Sequence, residues 1–394
     1  MNPSASGWIN KFGHIIGSSA LRYNSYEALY NDLLENGFIY GIHLSVPEFI
    51  KTAHPFTEDE VAKTNLLTAL YFSYVLETGN TDFTEFVEKV FAYYTSLEVS
   101  KITFLSKILS GNKTEVQLEK LLDSRIYLNG SAFSRAFGNS LTNSLLYVDI
   151  LIFRRYLQNH PNLVQHAQLL EYVTMTIGYE ALNAKKPKES DKKLMQVLAA
   201  SLSYVDLDST KFNSNKPILY SNFNTCERDY LMDIACLTIW EDGQIEGDES
   251  HFIYGMGTSL EKDKIEVKNA LENVVKFFEE NRDKIPYLKD SNLASKFYEG
   301  MTKNVSKLIL RNSKRLKKEI SESRELVILL TKSATQDLSP EERKKIQKQL
   351  LDIFKSIPSL AIFMLPGGAV LLPIIIKLNP TLLPSAFDDK RIEE

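Results

Sequence analysis

The chain has little of what catalytic and extracellular folds are built from. Two cysteines, Cys226 and Cys236, in 394 residues supply neither a disulfide framework nor a cysteine zinc site, and they fit a reducing compartment. Glycine is sparse, at 17 residues, and none of it forms a Gly-rich phosphate loop or a Gly-x-Gly-x-x-Gly turn. His14, His43, His54, His160, His166 and His251 lie scattered without metal spacing and read as ordinary surface or core side chains. There is no Gly-x-Ser-x-Gly elbow and no Cys/His dyad. No enzyme and no cofactor are therefore expected. The opening MNPSASGWINKFGHIIGSSALRYN lacks a basic region followed by an apolar core, so it does not read as a secretory signal. Alternating β-branched runs are rare and short, which holds expected strand content below about 5%.

What remains is helix. An apolar content of 44% and a charged content of 24% are those of a globular protein. Residues 25–37 place Leu29, Leu33 and Leu34 on one face and stop at Gly37. Thr57 to Glu60 form a capping box that opens a helix through Leu76. Further helices are expected over 82–97, 99–110, 115–123, 140–157, 163–183 and 190–205. Together 1–205 make an N-terminal helical domain. The stretch 206–224, rich in Asn, Ser, Thr and Asp, reads as the main linker.

A second helical domain is expected over 225–290. Tyr230, Leu231, Ile234, Leu237 and Trp240 recur at helical spacing, and Asp242-Gly243-x-Ile245-x-x-x-Glu249 then turns the chain into another helix. Gly243 suits a left-handed turn, and Asp242 and Glu249 suit helix ends. Asp242, Glu246, Asp248 and Glu249 form a carboxylate cluster with two readings. They are first-turn acids favoured by the helix dipole, or ligands of a divalent cation, with His251 beside them. The stretch Cys226–Phe278 resembles a tellurite-resistance TerB-like domain, whose marker is an apolar helix ending in Asp-Gly-x-aliphatic-x-x-x-Glu. The segment 66–86 repeats the register of 230–250, pairing Leu67 with Leu231, Gly79 with Gly243 and Glu85 with Glu249. A degenerate TerB-like repeat is therefore expected at 57–110.

The C-terminal part is charged differently. Residues 303–355 carry a net +7 and the first 302 a net −10, within a total of −4. A basic helical neck is expected over 291–338, with Lys303, Lys307, Arg311, Lys314, Arg315, Lys317 and Lys318 on a long helix. That face suits anionic headgroups or simply solvent; nucleic acid is disfavoured because aromatics do not interleave the basic residues. Ser339, Pro340 and Glu342 start another helix, carrying Arg343, Lys344 and Lys345. Then Ser356–Ile376 runs 21 residues without charge, bracketed by Lys355 and Lys377. Its length matches a bilayer core, and Pro358, Pro366, Gly367, Gly368 and Pro373 read as kinks that a membrane helix tolerates. The alternative is an apolar hairpin split at Pro366–Gly368 and packed on a soluble body.

The stretch 339–394 carries Pro340-Glu341-Glu342-Arg343, Asp352, Ile357-Pro358, Leu372-Pro373, Lys377-Leu378, and the exit Leu383-Pro384-Ser385 with Phe387. In these residues it resembles the membrane segment of the leucine zipper–EF-hand transmembrane (LETM) family. The whole chain is similar to bacterial LETM-related, biofilm-associated proteins. The resemblance implies a non-enzymatic, membrane-anchored scaffold at the cytoplasmic face of a bacterial inner membrane, with lipid and protein partners and self-association. It also implies, as alternatives, a part in K+/H+ or Ca2+/H+ homeostasis or a cytoplasmic regulator with its tail packed on the body. The family's leucine zipper and calcium loop are not in this sequence. Its ribosome-binding domain follows the exit, and here seven residues follow Phe387, so no ribosome partner is expected.

Overall fold

The computed structural model describes residues 1–17, 22–52, 54–97, 114–127, 144–184, 195, 220–240, 247–285, 313–333, 336 and 338–356. Every regular element among them is helical, which makes the fold all-α and multi-helical. In chain order the α-helices are α1 (Trp8–Gly17), α2 (Tyr26–Glu35), α3 (Glu58–Thr78), α4 (Phe83–Ser96), α5 (Thr114–Tyr127), α6 (Leu146–Leu157) and α7 (Leu163–Ala184). They continue with α8 (Thr225–Ile239), α9 (Gly247–Ser259), α10 (Lys264–Glu280), α11 (Ser313–Glu322), α12 (Arg324–Ser333) and α13 (Pro340–Ser356).

Two central helices organise the body. On one side α3 packs against α6, α2, α5 and α4; on the other α8 packs against α7, α10 and α9. The α6–α7 pair joins the two halves, since each contacts the other and one of the central helices. Both central helices are wrapped by protein, so residues 60–75 of α3 and 230–239 of α8 are buried on every face. A helix in that position needs apolar residues all round, or polar ones that satisfy themselves. The threonines do so: Thr64 and Thr68 donate to the carbonyls of Glu60 and Thr64, each at 2.7 Å, and Thr238 to that of Ile234 at 2.8 Å. Leu66, Leu67, Leu70 and Phe72 supply the apolar burial, worth roughly 1.5–3 kcal/mol each.

The expected punctuation is there in atomic detail. Thr57 accepts from the Glu60 amide while the Glu60 carboxylate accepts from the Thr57 amide, and Asn224 and Glu227 repeat this box at α8. After α2, Gly37 takes φ +80 with its amide on the Leu34 carbonyl and the Phe38 amide on that of Leu33, a Schellman stop. Gly79 ends α3 at φ +69. One helix start was not legible: Glu119 of α5 accepts from the amides of Gly7 and Ile9 at 3.1 Å, holding the N-terminus of α1 across 110 residues of sequence.

The core is continuous across the expected linker. Phe223 is buried against His166 of α7, with ring centroids 5.9 Å apart, while 206–219 lie outside the described residues. Tyrosines bind the halves together. Tyr30 of α2, Tyr147 of α6 and Tyr230 of α8 follow one another with ring centroids 5.6 and 5.5 Å apart, the first pair edge to face. Tyr93 and Tyr94 of α4 donate to the backbone and carboxylate of buried Asp149 on α6, each at 2.9 Å.

The basic neck is described from Ser313 onward, and there the expected long helix turns at Ser323. Ser323 accepts from the Leu326 amide at 3.4 Å and its hydroxyl bonds Gln349 of α13 at 3.0 Å, so it starts α12 rather than continuing α11. The turn lets Leu316 and Ile320, Leu326 and Leu330, and Ile346 and Leu350 meet in one three-helix unit. Ser339 and Glu342 close the expected box at α13, with bonds of 2.9 and 3.2 Å.

Candidate functional site

The four carboxylates singled out in the sequence are only partly placed. Asp242 and Glu246 lie outside the described residues, and Asp248 is described as backbone in the first turn of α9. Glu249 stands in that same turn and is buried. Among the described residues no group of three ligating side chains converges. His251 is exposed on α9, His14 and His54 are exposed, and His43 and His166 are buried. Of the basic residues, Lys303, Lys307 and Arg311 lie outside the described residues, and Lys314, Arg315 and Lys317 are described as backbone on α11. Lys318, Lys344 and Lys345 are exposed; Lys345 pairs with Glu325 at 2.8 Å, and Arg343 donates to the Leu338 carbonyl at 3.2 Å.

Packing assembles two polar constellations that sequence reading did not pick out. The first is a buried clamp on α6, α7 and α8. The Glu227 carboxylate, fully buried, accepts from Arg155 Nε at 2.8 Å and Nη2 at 2.6 Å, and meets His166 Nε2 at 2.8 Å. Burial pushes its carboxyl up, but the bonds from Arg155 and His166 outweigh this and hold it at about 2. Next to it, Arg154 pairs with Glu77 of α3, donates to Cys226 Sγ at 2.8 Å, and lies 3.7 Å over the Tyr26 ring. The two adjacent arginines thus tie α6 to both central helices.

The second constellation lines a cleft of about 650 Å3 between α2, α8 and the start of α10. Tyr26 and Tyr30 come from α2, Asp229 and Asp233 from α8, Lys262 from the turn before α10, and Glu266 from its first turn. Lys262 is held between Asp229 at 2.5 Å and Glu266 at 3.0 Å. Asp233 is only 4% exposed and accepts from the Tyr30 hydroxyl at 2.5 Å. Burial raises its carboxyl to about 7, against the bond from Tyr30. The one sequence signal was the pair of aspartates four apart on one helix, which share a face.

Residues 338–394 match the model of the family described as "LETM1-like, RBD". No solved structure matches the chain. An all-α body of this kind, joined to that C-terminal segment, defines a multi-helical protein. Over its C-terminal stretch this chain is similar to LETM1-like proteins. The family match begins at buried Leu338 and takes in α13, so its first 19 residues belong to the three-helix unit. The remainder, 357–394, holds Pro358, Pro366, Gly367, Gly368, Pro373, Leu383, Pro384, Ser385 and Phe387 and lies outside the described residues. Among the described residues no helix is long and apolar enough to cross a membrane.

Proposed function

We propose that this is a non-enzymatic, LETM-related interaction protein whose helical body is held at a membrane by its C-terminal segment. The observation that carries the reading is the coincidence of the family match with the uncharged run at 356–376. The three-helix unit supports it. It buries its apolar stripe in its own core and sets Lys318, Lys344 and Lys345 at the surface just ahead of that run, where basic side chains meet anionic headgroups. The body is suited to protein partners. Its TerB-like resemblance falls on α8 and α9, and the repeat expected from the sequence falls on α3 and α4.

Alkaline carbonate extraction of membranes from expressing cells tests this. Full-length protein is expected to stay in the pellet and a chain ending at Gln336 to be released. Ala369→Arg, placing a charge mid-run, is expected to weaken retention by about 2.5–3.5 kcal/mol of insertion energy. Release of the full-length chain overturns the proposal, as does firm retention of the truncated one.

A further inference from the structure

We propose that the cleft between α2, α8 and α10 is a binding site for a small aliphatic polyamine. The argument starts from Asp233. It lines the cleft yet is 4% exposed, and among the described residues its carboxylate has the Tyr30 hydroxyl as hydrogen-bond donor and no cation in salt-bridge contact. A buried carboxylate without a counter-ion is costly, and a cation entering the cleft removes that cost. The neighbouring cation is committed elsewhere, since Lys262 sits between Asp229 and Glu266. That arrangement also shows that the walls accept an ammonium between carboxylates.

The rest of the lining selects among cations. Glu27, exposed at the rim, offers a second carboxylate on the α2 side. Leu34, Met232 and Ala270 add apolar lining suited to methylenes. Several carboxylates and apolar side chains lining one cleft match ammonium groups joined by an alkyl chain. A hard divalent cation instead wants several oxygens converging on one point. A volume near 650 Å3 falls in the usual range for small-ligand sites.

The test is isothermal titration calorimetry of the full chain with spermidine, repeated with magnesium chloride at matched ionic strength. Saturable binding of one spermidine per chain, not displaced by magnesium, is the expected result. Asp233→Asn keeps the size of the side chain and an acceptor for Tyr30, and should weaken binding by about tenfold or more. Ala270→Trp fills the cleft without touching Asp233 and should weaken binding similarly; it decides the matter should the first variant fail to fold. Absence of saturable spermidine binding overturns the proposal. So does displacement by magnesium at matched ionic strength, or wild-type affinity in a folded variant.

Discussion

Replacing Glu227 by glutamine is the sharpest perturbation of this fold. The change keeps the length of the side chain but removes the charge that Arg155 and His166 face. Glu227 is fully buried and the Arg155 side chain is 13% exposed, so solvent cannot compensate either partner. Breaking a buried pair from one side costs about 3–5 kcal/mol, because the surviving charge is left stranded. That is a large share of the roughly 5–15 kcal/mol that holds a domain together. Glu227 also accepts from the Asn224 amide at 2.8 Å, and a glutamine, with one acceptor oxygen, cannot serve the box and both clamp partners together. Urea denaturation followed by circular dichroism measures it, in a cycle with Arg155→Met and the double variant. The double variant should be less destabilised than the sum of the singles, since it strands no charge. A pH series gives a second arm. The folded carboxyl sits at about 2 against an ordinary 4.5, so its contribution is fully present above 4.5 and is lost as pH falls towards 2. The loss amounts to on the order of 3 kcal/mol and should vanish in Glu227→Gln. A Glu227→Gln cost under about 1 kcal/mol, with additive singles, refutes the clamp.

His43 gives a prediction in another pH window. Its ring is buried with neither nitrogen bonded among the described residues, and burial lowers it from 6.5 to about 4. Its folded form resists the proton, so the His43 contribution to stability should fall by about 2 kcal/mol as pH drops from 7.5 to 5, opposed by Asp233, whose folded carboxyl at about 7 takes up its proton in the same window. His43→Phe, followed by thermal melts across that range, should flatten that part of the profile. Two glycines with similar backbone should respond differently to alanine. At Gly37 (φ +80) a Cβ would lie 2.0 Å from the Ile42 carbonyl oxygen, whereas at Gly79 (φ +69) it meets nothing within 4 Å. Gly79→Ala should cost about 1–2 kcal/mol, the left-handed penalty alone. Gly37→Ala should cost clearly more or fail to fold, and equal melting temperatures for the two would contradict this.

Local signals carried much of the fold. Thr57 with Glu60, Gly37 and Gly79, and Ser339 with Pro340 and Glu342 mark helix ends through bonds made within a few residues, so spacing alone reveals them. The expected long neck helix was less legible. The hydroxyl of Ser323 finds Gln349, 26 residues away, and the apolar stripes of α11 and α12 read as one pattern until α13 packs against both.

The candidate sites divide the same way. Arg155, His166 and Glu227 are individually unremarkable, and 72 residues separate the ends of their bond network. Glu227 also closes the capping box with Asn224. Tyr30 and Asp233 are 203 residues apart. No periodicity encodes such a meeting, because it depends on which faces of α2, α6, α7 and α8 turn together. The all-helical class, the caps and the uncharged C-terminal run follow from composition and local backbone chemistry, which act over one or two helical turns. The buried clamp, the tyrosine row and the acid-lined cleft exist only once α3 and α8 are enclosed, because desolvation and long-range pairing are properties of the packed core.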